Sequence, residues 1–312
     1  MGVYSIGVSI SENEIWFGIL KSSGEELMSW SIPTMKKRGC KAILSDISKE
    51  VKRKLESIRI ADREVAGIGV SVPAEVDRSG GLKYCEDLGW GIVNIAELLS
   101  RLSGFRVKAG GSSEMAVLGE HWFMGKSAPE NMAGLQLENE LRGSVIIHNR
   151  LVYGQNGRSG NVGQIYVKND SSNPNDREKL QYFSSMKSIV ETYIRQADCC
   201  DKTGSGLSLD KISAKEIIRS AVKGDPLCNK ILDDWASVIA FALYNMACIT
   251  RIEKVIIGGP LEKENNIMAE KINRFYRKLA DREEFRIDIC ASELGKKAEV
   301  YGCAGYLLQT QD

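Results

Sequence analysis

A run of three short strands followed by a helix occurs twice in this chain, and that repetition restricts the possible folds more than any other feature. Residues 3–9, 15–20 and 26–32 alternate or run apolar, broken at Glu12-Asn13-Glu14 and Ser22-Ser23-Gly24, as in an antiparallel meander. From Cys40 to Ile58, the residues Ile43, Leu44, Ile47, Val51 and Leu55 recur at helical spacing. The stretch from Val65 to Val72 is continuously apolar, which suits a strand covered on both faces. A short helix over 95–102, a strand near 105–109 and a helix over 112–123 follow. Beyond Pro129 the pattern restarts with strands at 132–137, 143–148 and 151–153, then helices and a strand at 254–257. Both first hairpins carry Glu-Asn-Glu at the tip, at 12–14 and 138–140. A unit used twice predicts an α/β fold of two stacked domains facing each other across a cleft. The expected boundaries are 1–120, closed by a C-terminal helix at 296–312, and 121–295.

Composition narrows the partners. With 42 basic and 41 acidic residues, no overall field draws in nucleic acid or an anionic membrane. The eight cysteines form no C-x-x-C pair and read as reduced, buried thiols of a cytoplasmic protein. The apolar run 235–249 follows Asp233 and Asp234 and is too short to span a bilayer, so a core helix is expected. The first strand begins at residue 3, leaving no room before it for a signal peptide. Residues 169–176 and 201–208 read as surface loops.

Six blocks in order resemble the ROK family of sugar kinases and repressors, which has the actin/hexokinase/Hsp70-type fold of two ribonuclease-H-like domains. They are Gly67-Ile68-Gly69-Val70-Ser71-Val72-Pro73 with Val76-Asp77, Asp87-Leu88-Gly89-Trp90, and Leu118-Gly119-Glu120 with Trp122-Phe123. The others are Gly154 to Gln164, Ala221 to Pro226 with Ile256-Ile257-Gly258-Gly259, and the closing segment 298–308.

The resemblance implies a sugar and an ATP site, and several of its positions are altered here. Family kinases open with a D-x-G-G-T-K turn; the matching positions carry Ser9, Ser11, Glu12, Asn13 and Glu14. The second phosphate loop falls on Glu138, Asn139, Glu140, Leu141, Arg142 and Gly143, where only the last glycine survives. Gly258 and Gly259 match the turn beside adenine, although a tight turn after a buried strand needs glycine in any case. The family's catalytic Asp matches Ser112, and a neutral serine accepts no proton from another hydroxyl. Glu114, two residues on, is a displaced alternative; on a helix it points elsewhere and reads as an exposed first-turn acid.

Hydrogen-bonding groups persist at the sugar positions: Asp87, Asn161 and Gln164, with Ser112, Asn156 and Gly157 completing the expected ligand-binding set. The zinc cluster of many family members lacks its cysteines, so no zinc is expected. Carboxylates from both Glu-Asn-Glu tips could bind a hard cation. Polar hairpin tips with Asn in the left-handed conformation explain them more simply. His121 and His148 read as structural.

These positions predict a catalytically inactive sugar-kinase homologue that binds a sugar-like metabolite, with a regulatory role and no cofactor. The alternative is an active sugar kinase with rearranged residues, using ATP and Mg²⁺. With the first strand at residue 3, no winged-helix DNA-binding segment is expected. The resemblance also implies a homodimer.

Overall fold

The computed structural model describes residues 3–138, 140–154, 160–169, 177–198, 212–261, 263–280 and 285–309. The two expected surface loops lie almost wholly outside these, as do Asn139, Asn156 and Gly157. Two compact units are formed, one from 1–128, 151–159 and 296–312, the other from 129–150 and 160–295.

Unit 1 is built on a five-stranded sheet. The meander β1 (Tyr4–Ile10), β2 (Glu14–Lys21) and β3 (Glu26–Pro33) is antiparallel. Then α1 (Gly39–Ser57) leads to β4 (Val65–Val72), which runs parallel to β1. The short strands β5 (Gly81–Leu82) and β6 (Val93–Asn94) pair with each other. Next, α2 (Ile95–Ser103) is capped by Asn94, whose side chain accepts from Glu97 N, and stops at left-handed Gly104. Strand β7 (Val107–Gly111) completes the order β3-β2-β1-β4-β7, and α3 (Ser112–Met124) follows without a loop.

Unit 2 repeats the plan. Its strands β8 (Met132–Leu137), β9 (Leu141–Ile147) and β10 (Arg150–Leu151) are followed by the minor pair β11 (Tyr166–Asn169) and β12 (Arg177–Lys179). Helices α4 (Gln181–Ser184), α5 (Met186–Asp198), α6 (Ala214–Val222) and α7 (Pro226–Thr250) lead to β13 (Lys254–Gly258), α8 (Lys263–Leu279) and β14 (Asp288–Ala291). The order β10-β9-β8-β13-β14 matches that of unit 1 strand for strand, so the duplication read from the sequence is present.

The closing helix α9 (Ala298–Leu308) packs into unit 1 through glycine. A Cβ on Gly7 or Gly69 would stand 1.9 Å from the carbonyl oxygen of Val300 or Cys303, and one on Gly119 1.9 Å from that of Ala298. Here α9 lies backbone to backbone against both the sheet and α3. Lys108 holds its far end, donating from buried Nζ to the carbonyls of Tyr306 (2.8 Å) and Gln309 (2.9 Å). A cation there suits the negative end of the helix.

At its near end α9 is tied to β3. Glu26 accepts from Lys297 Nζ at 2.8 Å, Ser29 Oγ at 2.7 Å and Tyr301 OH at 3.2 Å. Burial pushes the Glu26 carboxyl up, but these bonds outweigh it and hold the group below its ordinary value. A depressed carboxylate stabilises the fold above its unfolded pKa, and that contribution is lost as pH falls through the folded one. Glu26→Gln is therefore expected to weaken the fold at pH 7 and to flatten the acid limb below about pH 4.3. Urea titrations at neutral and acid pH check this.

Four local expectations are corrected. The third strand of the second meander is only Arg150–Leu151, because His148 and Asn149 both take positive φ, +51° and +61°. They form the hairpin turn themselves, leaving His148 exposed rather than in the strand. Asn13 is not left-handed; the Ser11 hydroxyl satisfies the turn instead, as described below. Among the six described cysteines, all free, Cys85, Cys228 and Cys303 are buried, but Cys248 is exposed. Helix α7 is a core helix over part of its surface only: Phe241 and Ile249 on it are 48% and 83% exposed.

Candidate functional site

In unit 1 the first hairpin closes on itself. Ser11 N donates to Glu14 O (3.0 Å), Ser11 Oγ donates to the same carbonyl (2.8 Å), and Glu14 N donates to Ser11 Oγ (3.2 Å). Two backbone N–H groups of the hairpin are thus consumed within the turn. The carboxylates are also engaged, Glu12 by Lys36 Nζ at 2.5 Å and Glu14 by Trp16 Nε1 at 3.0 Å.

Two charged groups reach this region from distant parts of the sequence. Lys36 brings a cation to the hairpin. Glu299, in the first turn of α9, accepts on Oε2 from Ser9 Oγ at 2.8 Å and from Ser71 Oγ at 2.7 Å. Both serines are buried. A carboxylate from the last helix therefore stands against Ser9 and Ser71. Sequence spacing carried no signal for either contact, the partners being 24 and 290 residues apart.

Ser112 opens α3, with Gly111 as N-cap and no side-chain cap. Glu114 is half-buried rather than exposed. Its side chain folds back over the helix start, where Oε2 accepts from Ser113 Oγ at 3.1 Å. A Cβ on Gly111 would lie 2.3 Å from that oxygen. The helix N-terminus favours such an anion, and the missing side chain at Gly111 leaves room for it. Burial first, then Tyr306 and Glu114 nearby, pushes the Tyr153 phenol well above its ordinary value.

Asp87 is half-buried in a turn closed by two backbone bonds between Cys85 and Trp90, 2.9 and 3.0 Å. Gly89 takes φ +65° there.

In unit 2 the second hairpin pairs Leu137 with Leu141 across Glu138–Glu140. Glu138 O accepts from Met186 N at 3.0 Å, and Glu140 pairs with Arg142 at 3.5 Å. Gly143 is needed for packing: a Cβ there would lie 2.9 Å from Gly160 O. Residues Gly160–Gln164 arc over β9, leaving Asn161 and Gln164 exposed. Gln164 Oε1 accepts from Lys179 Nζ at 2.6 Å, and its Nε2 donates to Gln181 Oε1 at 3.0 Å. Gly259 has φ +127°, and a Cβ on it would meet Leu137 O at 2.6 Å. Packing therefore requires Gly259, whereas a Cβ on Gly258 would meet only the far end of the flexible Gln136 side chain.

The ROK family profile matches residues 5–310. The chain belongs to the ROK family. A glucokinase from Halalkalibacterium halodurans is 25% identical over 319 residues, 98% of this chain and 95% of its own. A xylose repressor from Caldicellulosiruptor bescii is 24% identical over 291 residues, 91% of this chain and 72% of its own. Among solved structures, a ROK glucokinase from Streptomyces griseus in complex with glucose and AMPPNP superposes with a TM-score of 0.78 at 21% identity, covering 98% of this chain and 100% of that one.

Proposed function

We propose that this ROK-family protein binds a sugar or similar small polar metabolite in the cytoplasm without phosphorylating it, as a regulatory homodimer. Family resemblance assigns the sugar to Asp87, Asn161 and Gln164, which are all hydrogen-bonding groups. One observation carries the reading: the Ser11–Glu14 hairpin spends two backbone N–H groups on its own closure. Phosphoryl transfer depends on positioning and charge stabilisation by such groups. The serine at position 112 removes a further ~10²–10⁴-fold that a general base supplies.

A second reading is an active ATP- and Mg²⁺-dependent sugar kinase, as the name of the H. halodurans relative suggests. It is favoured by two relocated carboxylates, Glu114 over the start of α3 and Glu299 beside Ser9.

A coupled assay with ATP–Mg²⁺ against hexoses and N-acetylhexosamines is expected to stay at background, while at least one sugar raises the melting temperature. Saturable phosphorylation would sink the first reading. Glu114→Gln would then be expected to lower kcat by ~10²–10⁴. Ser112→Asp alone is expected to leave turnover at background, because the hairpin stays closed.

A further inference from the structure

Unit 2 contains a cavity of about 180 Å³ between α5 and α7. Its apolar walls include Ile189, Ile231 and Val238. Arg195 from α5 and Asp234 from α7 also line it. Both are exposed, and among the described residues neither side chain has an ion-pair or hydrogen-bond partner. Trp235 lines the same cavity and is 3% exposed.

Each feature asks for a complementary group. An arginine fork suits a carboxylate, and a lone aspartate suits an ammonium group. A ~150 Å³ apolar cavity accommodates benzene, so this one suits a molecule slightly larger. We infer that the α5–α7 cavity is a binding site for a free α-amino acid with an apolar side chain. Its carboxylate is held by Arg195, its ammonium by Asp234, and its side chain by the aliphatic walls. Its lining includes none of Asp87, Asn161 and Gln164, and the inference does not depend on whether the protein phosphorylates sugar.

Isothermal titration of the full chain with L-leucine, N-acetyl-L-leucine, L-leucine methyl ester and glycine tests this. Leucine is expected to bind saturably, with each of the other three at least about tenfold weaker, the loss of one charged hydrogen bond or of the apolar contact. Arg195→Ala is expected to erase the preference over the methyl ester but keep that over the N-acetyl form. Asp234→Asn is expected to do the reverse. Both residues are exposed, so the variants fold, and a merely structural role would not produce that crossed pattern. Absence of leucine binding, equal binding of the blocked forms, or unchanged discrimination in the variants would overturn the assignment.

Discussion

Gly302→Ala is expected to cost about 4 kcal/mol or more, a large part of the 5–15 kcal/mol that typically separates folded from unfolded domains. The new Cβ would stand 1.7 Å from Met115 O and 2.9 Å from Gly119 N. Both are backbone atoms of α3, so no side chain can swing aside. Nor can α9 retreat. Its opposite side carries the carbonyls of Val300 and Cys303, which already sit where Cβ atoms on Gly7 and Gly69 would be. Ordinary overpacking costs 1–3 kcal/mol because neighbours give way; here the helix is held between α3 and the sheet. Gly91→Ala is the control. No atom lies within 4 Å of its added methyl, and its φ is not positive, so its effect should stay within about 0.5 kcal/mol. Urea and thermal unfolding compare the three proteins. A Gly302→Ala variant within 1 kcal/mol of the parent would mean that α9 does not pack this way.

The elements that the sequence made legible are those dictated by local periodicity. Val65–Val72 could be recognised as a strand because a run of small and β-branched residues, interrupted only by Ser71, suits two covered faces. The start of α7 follows from its own residues: Gly224 takes φ +95°, Asp225 accepts from Cys228 N and Pro226 fits the first turn. Glu114 departs from the sequence expectation because the position of its Cα on the helix does not fix where its carboxylate lies. A glutamate has enough rotatable bonds to fold back over Gly111. Glu299 was illegible for a different reason. Nothing near residue 299 marks it as a partner of Ser9 and Ser71; only the insertion of α9 against β1 and β4 brings them together. That a carboxylate stands against Ser9 is visible only in the fold.

The arc 160–164 carries the other large expected effect. Gly160 has φ +70°, a conformation that costs an L side chain roughly 1–2 kcal/mol. A Cβ there would also lie 2.6 Å from Ser144 Cα and 2.8 Å from Gly143 O, both backbone atoms of β9. The arc is equally close at its other end, where a Cβ on Gly163 would meet Leu141 O at 2.3 Å. Gly160→Ala therefore has no local remedy: the arc must lift from β9, carrying Asn161 and Gln164 with it. Because β8, β9 and β13 keep their pairing, the cost to global stability is expected to be modest, about 2–3 kcal/mol. Affinity for whichever sugar stabilises the parent protein is expected to fall at least about tenfold. Gln164→Ala, which removes one amide and leaves the arc seated, should lose less. Calorimetric titration of the two variants separates seating from contact. Unchanged affinity in a folded Gly160→Ala protein would remove Asn161 and Gln164 from the sugar site, whatever the outcome of the phosphorylation assay.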